Sequence, residues 1–580
     1  MSSDMSSDMS RSMRNSMSSD MSRSRSSDMR SSMRRKDPSS GPVMFSAFAW
    51  FISMQGERRT TTRKKVKNMR KRQSGRKRVA CVALVLSVLL ALSGCAPRGE
   101  AGTGPRPGDT AKAPVSSYNP SYDYDYGYGS GERYSTIEDL GVQLTARSPE
   151  STFSLKVDTA AYSNVKRYIE NGHLPPSDAV RTEELINWFS FDEPLQYTRN
   201  SPFGFYTELG PSPFDDDKYL AMIRVGTRDI DRSELPPSNL VFLIDVSGSM
   251  GSYDKLPLLQ DSLAMLAETL GKDDRVSIVT YASGTHVALS GAKGSDYRTI
   301  TDAIYSLSAG GSTYGEKGIQ KAYEQAERNY IEGGNNRVIL ATDGDFNVGI
   351  SNIGDLSDFI ARKSESGVYL SVLGFGTGNI RDDIMETLAK DGNGNYSYID
   401  NLKTAEKVLV NELASNLFTV ADDVKAQVVF DPKTVRSYRL IGYENRMLKT
   451  EDFDDDRVDA GEIGVGCDVV ALYEIELYEP ESDLGAHLFD VNIRYKDPGE
   501  SRSRLVEFPV SLERLRGGNS SDFRFVSAVA LYGDYLRNSG NVDGYTLREI
   551  TWLAEDNLGV DKAGYRWDFV ELLYQLRSIG

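Results

Sequence analysis

The stretch that most constrains the fold is Asn239-Leu-Val-Phe-Leu-Ile-Asp245-Val-Ser247-Gly-Ser249-Met250, an apolar run that ends abruptly on a carboxylate, two hydroxyls and a glycine. A strand that is apolar at every position from Leu240 to Ile244, rather than at alternate ones, needs cover on both faces. That is the situation of a central strand in a parallel sheet. Ligands of open α/β sheets sit just beyond the carboxyl ends of such strands, which is where Asp245, Ser247 and Ser249 fall. These residues offer only hard oxygens, one of them charged, a donor set that suits Mg²⁺ or Mn²⁺ over zinc or copper. Asp245 is expected at the strand tip, outside the core.

Two later stretches supply what such a site still lacks: the glycine-rich Gly310-Gly311-Ser312-Thr313-Tyr314-Gly315, and a second apolar strand ending in acid, Val338-Ile-Leu-Ala-Thr-Asp343-Gly344-Asp345. In this combination the chain resembles the von Willebrand factor type A (VWA) family. The resemblance implies a metal-ion-dependent adhesion site made of Asp245, Ser247, Ser249, Thr313 and Asp343. It implies that the Ser and Thr oxygens bind the ion directly, that the Asp residues act directly or through water, and that one position stays open for a partner's carboxylate. Ser, Asp and Gly also cluster in ordinary turns for local hydrogen-bonding reasons. Five positions in order, two of them closing buried strands, weigh against that plainer reading.

Around this stretch strands alternate with helices. Periodicity predicts strands over 275–281, 337–342, 368–375 and 396–400, and helices over 256–270, 296–307, 315–329, 353–364, 381–390 and 404–417. Alternation of this kind gives a doubly wound, mostly parallel sheet, a Rossmann-like α/β unit, here over residues 238–418. On either side the pattern is β-rich. Residues 136–237 combine strands with short helices near 162–171 and 179–189, and residues 419–515 read as five strands. Neither side holds enough strands to cover a face alone, so the two are expected to pair into one companion domain with the VWA-like unit inserted. Residues 516–580 read as closing helices. The segments 153–189 and 441–463 resemble the YfbK-like bacterial VWA lipoproteins, and that resemblance extends from Phe153 to the end.

The amino-terminal part obeys different rules. Residues 1–94 carry 20 Lys and Arg against 6 Asp and Glu, a net of +14, so the rest of the chain carries −29 of the overall −15. Residues 1–68 begin as near-repeats of Met, Ser, Arg and Asp with almost nothing to bury, and are expected to be disordered, or an upstream extension of a chain that starts at Met69. Over 69–94 a basic segment, an apolar run from Val79 to Leu92 and small residues form a secretory signal, too short for a spanning helix. Its end, Leu92-Ser93-Gly94-Cys95, resembles the bacterial lipobox, which implies that Cys95 is acylated and becomes the mature N-terminus. Residues 95–135, rich in Gly, Pro, Ser and Tyr, read as a tether with a reach on the order of 100 Å.

Several functions lack their parts. Three histidines, His173, His286 and His487, fall in different units, which leaves no basis for a His-dependent triad or a His-rich zinc site. No phosphate-cradling Gly-x-x-x-x-Gly-Lys-Ser/Thr loop occurs, and the acidic exported part is unsuited to nucleic acid. Cys467 would be the only cysteine besides Cys81 and Cys95; it reads as a small core residue. Asp391 to Asn395 and Asp452 to Asp456 imitate calcium loops but lack the glycine and the closing glutamate, and read as turns. The expectation is a non-enzymatic binding protein, lipid-anchored to the bacterial cell envelope. There it would capture a protein that offers an Asp or Glu carboxylate to the bound Mg²⁺ or Mn²⁺. The alternatives are an envelope scaffold with a purely structural metal and, lower in order, a metal-dependent hydrolase.

Overall fold

The computed structural model describes residues 131–579 except for 199–200, 313–315, 345–352, 479–484, 516–517 and 539–544. The signal segment, Cys95 and nearly all of the expected tether lie outside the described residues, as does Thr313. No helix among the described residues is long and apolar enough to cross a membrane.

The apolar run is the strand Ser238–Asp245, third from one edge of a six-stranded sheet. The order is Tyr396–Ile399, Val368–Phe375, Asn335–Thr342, Ser238–Asp245, Arg275–Tyr281 and Thr285–Lys293. Every pairing is parallel except the last. The continuous hydrophobicity is explained by two cores. Leu240, Phe242 and Ile244 pack with Leu259 and Leu263 of the helix Leu256–Ala267. Val241 and Leu243 point the other way, toward Ile319 and Tyr323 of Glu316–Arg328. The antiparallel edge strand Thr285–Lys293 is an addition to the sequence reading. The helix predicted over 404–417 is broken into Leu402–Glu406, a wide turn at Lys407–Asn411, and Leu413–Leu417.

The companion domain is built across the insertion. One sheet runs Gln143–Leu144, Val435–Ile441, Asp468–Leu477, Tyr219–Thr227, Phe203–Pro211 and Gln196–Tyr197. The other contains Ile463–Gly464, Thr419–Phe430, His487–Lys496 and Ser503–Ser511, with Glu150–Ser154 also paired to Thr419–Phe430. The two strand pairs that cross the insertion, Tyr219–Thr227 with Asp468–Leu477 and Glu150–Ser154 with Thr419–Phe430, are both antiparallel. Phe153, Phe205, Ile223, Val428 and Tyr473 fill the space between the sheets. The outer face of the first sheet, with Leu220, Met222, Val470 and Leu472, is covered by the helices Ser521–Arg537 and Tyr565–Ile579 and by the amino-terminal helices.

The tether expected over 95–135 is too long at its carboxyl end. Gly131 donates its N–H to the Gly378 carbonyl at 3.0 Å, Arg133 bridges to Arg381, and Glu132 forms a 2.8 Å ion pair with Arg167. Residues 131–135 therefore belong to the folded part. Glu132 is held there because its other oxygen accepts the Gly378 N–H at 3.0 Å, a level of buried pairing that a free linker does not provide.

Candidate metal centre

Asp245 closes the central strand, and its neighbour in the sheet, Asn335–Thr342, ends immediately before Asp343. The register pairs Ile244 with Ala341, which brings both carboxylates to the same rim. Asp245 and Asp343 are fully buried and Ser247 almost so, while Ser249 is exposed. The site therefore opens outward through the Ser249 side. Asp245 lies inside the protein rather than beyond the core, contrary to the sequence expectation, because the turn that follows it and the glycine-rich loop pack together at the rim.

Those loops are fixed by backbone contacts that a glycine permits. The Gly248 N–H donates to Gly311 O at 3.0 Å and the Gly310 N–H to Val246 O at 2.8 Å, seating the glycine-rich loop on Asp-x-Ser-x-Ser. Gly311 has φ +87° and sits against the Ser283 hydroxyl, where a side chain would have no room. The same hydroxyl accepts the Ser312 N–H at 2.9 Å, fixing the loop one residue before Thr313. Gly344, with φ +92°, lets the backbone after Asp343 pass close to Ile380 and Arg381.

Within the site, Asp245 Oδ1 accepts the Ser247 N–H at 2.8 Å, and the Ser247 and Ser249 hydroxyl oxygens are 3.0 Å apart. Asp245 Oδ2 is buried with no hydrogen bond of good geometry. Burial pushes the Asp245 carboxyl up to about 6, against the pull of the Ser247 N–H and with a contribution from Asp343 nearby. A buried acceptor left over beside two convergent hydroxyls and a second carboxylate fits a hard divalent cation. Among the described residues no three His, Cys, Asp or Glu side chains converge on a point, so a cation here depends on the hydroxyls. Four of the five expected ligands are thus gathered at one rim.

Sequence reasoning missed Lys255. Its ammonium lies 2.9 Å from Asp343 Oδ2 and is nearly buried. Two carboxylates were expected to supply the site's charge of −2; with this lysine the charge is −1. The only signal in the sequence is a lysine in the connection between the strand and its helix, which reads as an ordinary solvated charge. The other motifs behave as turns or core. Arg494 engages Asp454 at 2.9 Å and Asp456 at 3.1 Å. Cys467 is half-buried against the companion core, where burial pushes its thiol up to about 12.

Comparison with known proteins adds the following. A model of the von Willebrand factor type A domain matches residues 239–411, one described as von Willebrand factor matches 129–222, and one described as the C-terminal part of uncharacterized protein YfbK matches 415–579. The Escherichia coli (strain K12) protein YfbK is 43% identical over 463 residues, which span 76% of this chain and 80% of that protein. Protein sll0103 of Synechocystis is 24% identical over 300 residues, 50% of this chain and 69% of its own length. Among solved structures, a von Willebrand factor type A protein from Catenulispora acidiphila aligns over 65% of this chain and 91% of its own, with 15% identity and a TM-score of 0.38.

Proposed function

Since this chain belongs to the YfbK family and carries its von Willebrand factor type A domain inside the companion region, we propose that it is a non-enzymatic binding protein of the bacterial cell envelope. In this reading it is exported, anchored through an acylated Cys95, and captures a protein partner through Mg²⁺ or Mn²⁺. Asp245, Ser247, Ser249 and Asp343, with Thr313, would hold the ion, and the ion would supply an electrophilic position for an Asp or Glu carboxylate of the partner. The observation that carries this is the buried Asp245 carboxylate, its Oδ2 without a hydrogen bond of good geometry, beside the Ser247–Ser249 hydroxyl pair, at a rim that is open on the Ser249 side.

The chain's own groups suit capture better than hydrolysis. A general base must lie within reach of a water molecule, and the acids at this rim, Asp245 and Asp343, are committed as ligands. Ser247 and Ser249 as neutral ligands leave most of the ion's charge unspent for an anion.

The test is retention of envelope proteins on immobilised full-length chain, with EDTA and then restored Mg²⁺. Retention is expected to fall with EDTA, to return with Mg²⁺ and to be lost in Asp245→Ala. Asp245→Ala and Asp343→Ala are expected to weaken Mn²⁺ binding more than Ser247→Ala or Ser249→Ala. Retention that ignores metal removal would leave the scaffold reading standing, and turnover in a hydrolase screen that disappears in Asp245→Ala would replace both.

A further inference from the structure

Lys255 follows the tight turn at Gly248–Gly251 and immediately precedes the helix Leu256–Ala267. Its N–H donates to Ser252 O at 3.1 Å, its side chain is 9% exposed, and its ammonium reaches Asp343 Oδ2 at 2.9 Å. The aliphatic stem runs over Gly376, at the end of the strand Val368–Phe375, where φ is +74°. A Cβ at position 376 would collide with Cγ and Cε of the lysine. A lysine that merely laid its stem along the rim would keep its ammonium in water. Here the stem occupies a slot that requires glycine beneath it, and the buried ammonium has a carboxylate to meet.

The consequence lies in the charge of the site. Asp245 and Asp343 alone would total −2, and a divalent ion would bring that to neutral. With Lys255 the protein contributes −1, and the loaded site stands at +1. A positive charge paired with one of the carboxylates that would hold the ion would weaken the ion's hold on the protein and strengthen the attraction of the loaded site for an anion.

We propose that Lys255 is a built-in counter-cation that ties metal binding to carboxylate capture: the ion is held weakly until an incoming carboxylate neutralises the site. The lysine is a positioning and specificity-setting group that acts through Asp343 and is not itself a ligand. This rests on the metal-dependent reading above. Occupancy of the metal and of the partner then reinforce one another by the same factor in each direction.

The experiment titrates Mn²⁺ alone into the full chain by calorimetry, with chloride or acetate as the background anion at equal ionic strength. The variants are Lys255→Met, Lys255→Gln, Lys255→Arg and Asp245→Ala. Neutral Met and Gln are expected to tighten Mn²⁺ by about tenfold or more, from the Coulomb repulsion of one nearby charge removed. Arg is expected to stay near the wild type. Acetate is expected to tighten Mn²⁺ in the wild type and to do so less in the neutral variants; Gln, which can still hydrogen-bond Asp343, replaces Met if Met loses the folded state. Unchanged or weaker Mn²⁺ binding in the neutral variants, or no acetate effect in the wild type, overturns the proposal while Asp245-dependent binding keeps the metal reading. If no variant binds Mn²⁺, both fall together.

Discussion

Arg446 is a residue whose loss should cost the fold several kcal/mol, about 3–5. It ends the short turn Glu444–Arg446, after the chain has returned from the inserted domain. Its Nη2 lies 2.8 Å from Asp158 of the amino-terminal segment, 3.4 Å from Glu386 on the VWA helix Asp382–Asp391, and 4.0 Å from Glu184. All four groups are largely buried, and the second Asp158 oxygen accepts the Tyr396 N–H at 3.0 Å. Arg446→Met keeps the volume but removes the cation from among these carboxylates. Breaking a buried pair from one side costs about 3–5 kcal/mol, because the remaining charge stays desolvated. At a urea dependence of about 3 kcal/mol per molar, the unfolding midpoint should fall by roughly 1–1.7 M, read by tryptophan fluorescence and near-ultraviolet circular dichroism. Asp158→Asn still accepts the Tyr396 N–H and removes one stranded charge, so the double variant should recover about 1–3 kcal/mol relative to additivity. A loss below about 1 kcal/mol for Arg446→Met, or two losses that simply add, would refute the argument that this arginine is the shared cation of the junction.

Two further outcomes follow from single groups. Burial pushes the Glu462 carboxyl up to about 7 despite Lys156 at 3.7 Å; the native state then keeps a proton that the unfolded chain releases. The sign is fixed: relative to Glu462→Gln, the wild type should gain stability as pH falls from about 8 to about 5, by ~2–3 kcal/mol, in urea titrations at each pH. Cys95→Ser should abolish incorporation of labelled palmitate and leave the protein unanchored; unchanged labelling would end the lipoprotein reading.

What was legible in the sequence was what repeats with a period or ends on a distinctive residue. The buried strand before Asp245 was readable because two-faced cover leaves no polar position from Leu240 to Ile244. The insertion was readable because neither flank had strands enough to close a sheet. The strand Thr285–Lys293 was not readable: its side chains are mostly half-buried, and its pairing shifts register twice against Arg275–Tyr281, so no alternation marks it. Glu132 reads as tether because its neighbours are Gly, Arg, Tyr and Ser, whereas Arg167, Tyr168 and Gly378, far along the chain, give it a fixed place. Lys255 was invisible for the same reason, since its meaning depends on Asp343, 88 residues away. Periodic burial is encoded locally, whereas a single pairing across the fold is not.

The companion region bears on the metal rim through direct contacts. Gly344, the residue after Asp343, packs on Ile380 and Arg381. Ile380 O accepts the Arg133 N–H at 2.9 Å, so the first described residues of the chain brace the segment on which Gly344 rests. One residue further, Asp382 is fully buried and receives Arg181 Nη1 at 2.6 Å; Arg181 in turn holds Glu184 at 2.6 Å. Tyr396, on the sheet's edge strand, donates its hydroxyl to Asp382 at 3.0 Å. A charged group at the start of the helix Asp382–Asp391 is therefore satisfied by a cation that the VWA unit does not possess. Cut free of residues 131–184, the inserted domain would leave Asp382 buried without its arginine, a cost of the order that breaks buried pairs, and would release the support beneath the backbone that follows Asp343. The insertion is thus part of how the rim is built: the sheet supplies the direction of the two carboxylates, and the companion supplies the arginine and the backbone bonds that hold the segment on which Gly344 rests.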